Sequence, residues 1–114
     1  MWKNILKSDR QYIPYKNTLI IFTRHFFEKL NDKFTDIKFK RIKDVIKEKI
    51  NQNQIPMNEA VMIKLRRQGR PAFLVVIKEK RKGRGLKTAV KIKTIREMHI
   101  NTEKNYTGMI LNEN

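Results

Sequence analysis

Met57-Asn58-Glu59-Ala60-Val61-Met62-Ile63-Lys64-Leu65-Arg66-Arg67-Gln68 decides the fold, because it satisfies two periods at once. Read as a helix, Asn58 caps the start, Val61, Met62 and Leu65 face inward, and Gly69 closes the end. Read as a strand, Val61, Ile63 and Leu65 alternate with Met62, Lys64 and Arg66, and Gln68-Gly69-Arg70-Pro71 forms the turn. The helix propensities of Ala, Met, Lys, Leu, Arg and Gln tip the balance towards helix.

Upstream, Leu19, Phe22, Phe26 and Leu30 recur at i+3 and i+4 after Asn17 or Thr18 as N-cap, which predicts the strongest helix of the chain. Leu19-Ile20-Ile21-Phe22-Thr23 is strand-like by propensity, but the helical period runs on well beyond it. Thr35 and Asp36 open a second helix with Ile37, Ile42, Val45, Ile46 and Ile50 as its apolar stripe. Asn51 to Gln54 is a polar break, and Pro56 marks a new beginning. Ahead of all this, Met1 to Lys7 makes a short helical turn and Asp9 to Lys16 a loop around Pro14.

Downstream, Ala72 to Lys78 is apolar on both faces, as a strand covered on both sides would be. Leu86 to Ile95 alternates, with Val90 and Ile92 on one side and Lys87, Lys91 and Lys93 on the other. Glu79-Lys80-Arg81-Lys82-Gly83-Arg84-Gly85 is the loop between them, its glycines suited to a longer hairpin connection. A short strand and a frayed polar end fill residues 97–114.

The expected fold class is therefore α+β: two amphipathic helices, a third helix or strand over 57–68, then an antiparallel β-hairpin with a basic loop. Residues 1–16 form an N-terminal arm, 17–96 a single basic domain, and 97–114 a partly flexible C-terminal segment. The element order is that of a winged helix-turn-helix, a likeness of layout only. The long second helix, the loose linker at 51–56 and the missing strand between the first two helices depart from it.

Charge points to a class of partner. The chain has 114 residues and a net charge of +16, of which residues 56–96 hold +11, from 13 Lys and Arg against 2 acids. Residues 97–114, by contrast, sum to −2. Such asymmetry marks a site rather than general solubility, and an excess of this size is relieved by a polyanion. Nucleic-acid phosphate is the first candidate, since each contact releases condensed counterions.

Lys80, Arg81, Lys82 and Arg84 crowd the loop, while Lys87, Lys91 and Lys93 share one strand face in the alternating pattern. Alternate strand residues stand about 6.6 to 6.8 Å apart, close to the spacing of successive phosphates. Lysines also protect edge strands against aggregation, but that device does not call for a charged loop. Lys64, Arg66, Arg67 and Arg70 form a second basic group that extends the footprint. Aromatic interleaving is poor, with Phe73 the sole aromatic between residues 40 and 105. That argues against base stacking and for phosphate-dominated contacts, with DNA favoured over RNA.

Other classes find less support. The absence of cysteine excludes disulfides and thiolate zinc sites and fits a cytoplasmic protein. No apolar run is long enough for a transmembrane segment, and no signal-peptide core is evident. His25 reads as a helix-rim residue, and His25 and His99 without cysteine do not make a metal site. Acids are scarce in the basic half, and no Walker or Rossmann glycine loop exists, so neither catalytic residues nor a cofactor is expected. Trp2, Ile5 and Leu6 lie on one side of the N-terminal turn and could dock a protein partner. The expectation is a non-enzymatic, basic, double-stranded-DNA-binding protein. The alternative is an assembly protein of a virion or nucleoprotein particle, whose basic face meets nucleic acid or an acidic protein.

Overall fold

A computed structural model describes residues 10–114. In chain order the elements are β1 (Gln11–Tyr15), β2 (Thr18–Phe22), α1 (Arg24–Lys33), α2 (Phe39–Asn51), β3 (Ala60–Leu65), β4 (Ala72–Lys80), β5 (Thr88–Glu97), α3 (Ile100–Asn105) and β6 (Ile110–Asn112). The six strands form one mixed sheet in the order β1-β2-β5-β4-β3-β6. Pairing is antiparallel except for β2 with β5 and β3 with β6, which run parallel.

This corrects the expected fold class. The chain is α+β, but it is not two helices followed by a hairpin, and the winged-helix layout is gone because residues 60–65 are a strand. Val61, Met62 and Ile63 are all buried, so β3 is covered on both faces and its alternation is masked. The region read as the first half of a long helix is also strand. Along β2, Thr18, Ile20 and Phe22 are buried while Leu19 and Ile21 are half-exposed, the signature of a strand with one covered face. The helix starts only after it. Thr23 is the N-cap of α1, and its Oγ1 accepts the amide N–H of Phe26 at 3.1 Å.

One face of the sheet carries α1 and α2. Ile20, Phe22, Val61, Leu74, Val90 and Ile92 pack there against Phe26, Leu30, Ile42 and Ile46. Phe22, Phe26, Phe27 and Phe39 form a ring cluster with centroids 4.8 to 6.3 Å apart, joining β2 to both helices. A smaller core of Met62, Phe73 and Met98, with Tyr106 and Ile110 against it, covers the β3–β4 half of the other face. The chain can place Pro14 within β1 because β1 is an edge strand, where a missing amide donor costs no ladder bond.

β5 lies between β2 and β4 and does not alternate strictly. Its register with β4 shifts between Val75 and Val76, which pair with Thr94 and Ile92, so Lys93 has no partner. This bulge moves Ile95 onto the buried side after Val90 and Ile92. The carbonyls of Ile92 and Lys93 accept the Thr23 hydroxyl at 3.2 and 2.9 Å, so the start of α1 is fastened to the bulge.

Candidate nucleic-acid interface

The loop at residues 81–87 joins two interior strands of the sheet, β4 and β5. Its neck is closed by the Arg81 amide, which donates to the Lys87 carbonyl at 2.8 Å. The Arg81 guanidinium donates across the loop to the Leu86 carbonyl at 3.0 Å. Gly83 and Gly85 turn the chain at φ +90° and +95°, where any other L-residue is strained. Arg81 thus shapes the loop, while Lys80, Lys82, Arg84 and Lys87 stand exposed on it.

Parallel pairing brings further cations to this end. Thr18 and Thr88 start β2 and β5 side by side, their hydroxyls 2.9 Å apart. The β1–β2 turn, Lys16-Asn17, therefore lies next to the loop. The Lys16 and Lys47 ammonium groups sit 5.7 and 5.5 Å from the centre of the Tyr15 ring, a cation–π arrangement that covers it. Lys78 is half-buried on the last turn of β4 before the loop. Lys16, Lys47 and Lys78 were not among the residues expected from sequence. Local pattern cannot find the first two, because Lys16 arrives through a pairing between strands 70 residues apart and Lys47 through the packing of α2 against Tyr15.

The other expected residues are placed differently. Lys91 lies 3.4 Å from the Glu79 carboxylate across the β4–β5 pair. Lys93 occupies the bulge, and Lys87 precedes the strand, so the three lysines do not form one regular row. Lys64, Arg66, Arg67 and Arg70 lie at the opposite end of β4, eight residues away or about 26 Å at roughly 3.3 Å per residue. They are not gathered with the loop.

Within that second group, Lys64 is 2.6 Å from Glu103 of α3 and covers the Phe73 ring. Arg67 is mostly buried, at 12% side-chain exposure. It donates to Asp36 at 3.0 Å, to the Arg70 carbonyl at 2.7 Å and to Glu97, and it stacks over Phe34. A guanidinium with all three of its nitrogens engaged within the chain holds the fold together. The side chains of Arg66 and Arg70 are exposed, although the Arg66 backbone is taken up by Arg41 and Glu113.

Trp2, Ile5 and Leu6 lie outside the described residues. Among the described residues no three His, Asp or Glu side chains gather as metal ligands, and no helix is long and apolar enough to cross a membrane. Comparison with protein-family models, curated protein sequences and solved structures gives no match.

Proposed function

We propose that the protein binds nucleic acid through the basic end of its sheet, by contacts dominated by phosphate and with double-stranded DNA preferred. The observation that carries this reading is that Lys16, Lys80, Lys82, Arg84 and Lys87 are all exposed at one end, none of them in an ion pair among the described residues. Arg81 and Lys78 add two charges beneath them. The acids near that end include Glu79, engaged by Lys91, Glu59, and Glu48 beside Lys47 on α2. Unpaired cations in this number attract a polyanion and repel one another without it.

The sheet limits how a duplex is met. Because β4 and β5 both have neighbours, the loop reaches the phosphates rather than a free two-stranded ribbon entering a groove. Phe73, the one aromatic of β4 and β5, is fully buried at their other end, and the Tyr15 ring at the basic end is covered by Lys16 and Lys47, which leaves little platform for stacking single-stranded bases. The lack of cysteine makes a cytoplasmic location part of the same reading.

Fluorescence anisotropy against duplex DNA, duplex RNA and single strands, repeated over a salt series, tests it. With about 6 to 8 phosphates neutralised, log affinity falls against log salt with a slope of roughly −5 to −7. Lys82→Glu with Arg84→Glu weakens binding and leaves the domain folded. Unchanged affinity in that pair would show that the loop is not the interface.

A component of a nucleoprotein assembly is the second reading. Tyr12, at 55% exposure, and the half-exposed Leu19, Ile21 and Ile77 leave apolar surface on the sheet face opposite α1 and α2. Sedimentation analysis separates the two readings: an assembly protein self-associates, and a simple binder stays monomeric.

A further inference from the structure

A cleft of about 490 Å³ opens between α1 and the C-terminal end of β5, at the far end of the sheet from the basic loop. His25, Lys29 and Lys33 follow one another at intervals of four residues and so share one face of α1. Arg70, Arg96 and His99 line the cleft from the strand side. Both histidines of the chain are therefore here.

The charge of the cleft is not cancelled from within. Glu97 is the one acid of its lining, and its carboxylate is taken by Arg67, which Asp36 also holds. Lys29, Lys33, Arg70 and Arg96 are in no ion pair among the described residues. Near His25, Glu28 stands 4.0 Å from Nδ1 and is shared with Arg24 at 3.6 Å. His99 Nδ1 accepts the Asn101 amide at 3.3 Å, so the neutral ring keeps its proton on Nε2 and offers an N–H donor. Four cationic residues and both histidines thus line, with Thr94, a concave space of the size that small ligands fill.

We propose that this cleft binds a phosphate monoester. An internal phosphodiester carries one negative charge, whereas a monoester carries about 1.5 to 2 at neutral pH and three acceptor oxygens. Arg70 and Arg96 can each offer it paired N–H donors, and the lysines act as point charges. A concave pocket also admits a group at the end of a molecule more readily than one in the middle of a duplex. The monoester is either the terminal phosphate of a nucleic-acid strand or that of a free nucleotide. The inference does not rest on the role given to the loop, which lies at the other end of the sheet.

With only two histidines in the chain, the imidazole region of a heteronuclear NMR spectrum reports directly on the cleft. AMP is expected to shift both histidine signals saturably, while adenosine, which lacks the phosphate, leaves them in place. Lys33→Gln with Arg96→Gln abolishes the AMP response, and Lys82→Glu with Arg84→Glu preserves it; amide spectra confirm that each variant is folded. An oligonucleotide with a 5′-phosphate that moves the histidine signals and binds at least about tenfold tighter than its 5′-hydroxyl counterpart identifies a strand end as the source. A response to AMP without that difference identifies a free nucleotide. If neither AMP nor the phosphorylated oligonucleotide moves either signal at about 10 mM, or if adenosine moves them equally, the proposal is wrong.

Discussion

Removing the Glu113 carboxylate should loosen the junction of α2, β3 and β6. Glu113 follows the short edge strand β6, which is held to β3 by three register pairs. Its carboxylate accepts Arg41 Nε at 2.7 Å and a terminal Arg41 nitrogen at 2.6 Å, and also the Arg66 amide at 3.1 Å. Arg41 in turn donates to the Arg66 carbonyl. Side-chain exposure is 14% for Glu113 and 35% for Arg41, so the pair is partly shielded from solvent. A charge-assisted hydrogen bond contributes about 1.5 to 3 kcal/mol, but the solvent left around Arg41 screens part of it. We expect Glu113→Ala to cost about 2 kcal/mol in urea unfolding, or roughly 8 °C in Tm for a domain of this size. Arg41→Met should cost a similar amount, and the double variant less than the sum.

The same contact predicts a dependence on pH. Hydrogen bonding from Arg41, opposed by burial and aided by the Arg66 amide, holds the Glu113 carboxyl below its ordinary value of 4.5. A depressed folded-state value stabilises the native protein fully above the unfolded value, and that stabilisation is lost as pH falls through the folded one. The stability gap between wild type and Glu113→Gln is therefore largest at neutral pH and narrows as the pH drops below about 4 to 5. Comparing the two proteins cancels the general acid destabilisation of so basic a chain. A gap that widens on acidification, or a Glu113→Ala variant as stable as wild type at pH 7, refutes the argument.

On the proposed function, Lys82→Gln with Arg84→Gln should remove two phosphate contacts, lowering the salt slope by about 1.8 and the affinity at 0.15 M salt roughly 30-fold; anisotropy measures both. Gly83→Ala meets no atom but forces a side chain to φ +90°, and should cost about 1 to 2 kcal/mol in urea unfolding. Arg67→Gln gives up its bonds to Asp36 and Glu97 and its stacking on Phe34, and should lower stability by about 2 kcal/mol, with the duplex salt slope unchanged. Thr23→Val removes the cap of α1 and both bonds to the β5 bulge, a loss of about 1 to 2 kcal/mol visible by thermal melting.

The basic loop and its flanking strands were legible because their residues are contiguous and each strand shows its own pattern. β2 was misread because Phe22 ends a strand and yet stands in helical phase with Phe26 and Leu30, so two elements imitate one period. β3 was ambiguous because Met62 is buried under Met98 and Tyr106 on the second face, which erases the expected polar alternation. Pro14 reads as a strand breaker, and only membership of an edge makes it acceptable. The bulge at Lys93 cannot be read from β5 alone, since it exists only in relation to β4. The cleft was half visible: the i, i+4, i+8 spacing of His25, Lys29 and Lys33 is present in α1, but the strand end that faces it comes from 60 to 70 residues further on. Composition could suggest phosphate as a partner, and long-range pairing was needed to locate the two separate groups of cations on which the proposals rest.

The parallel union of β2 with β5 also sets a schedule for folding. Thr18 and Thr88, neighbours in the sheet, are 70 residues apart in the chain. At about 5 to 20 residues per second, a ribosome takes roughly 4 to 14 s to make that interval. Until β5 emerges, β2 has only β1 beside it, and the phenylalanines of β2, α1 and α2 have no completed sheet beneath them. Closing so long a loop before its contacts repay the entropy makes this a slow step. The nascent chain must carry its aromatic cluster through that wait, and chaperone dependence during synthesis should track the delay rather than the stability of the finished protein.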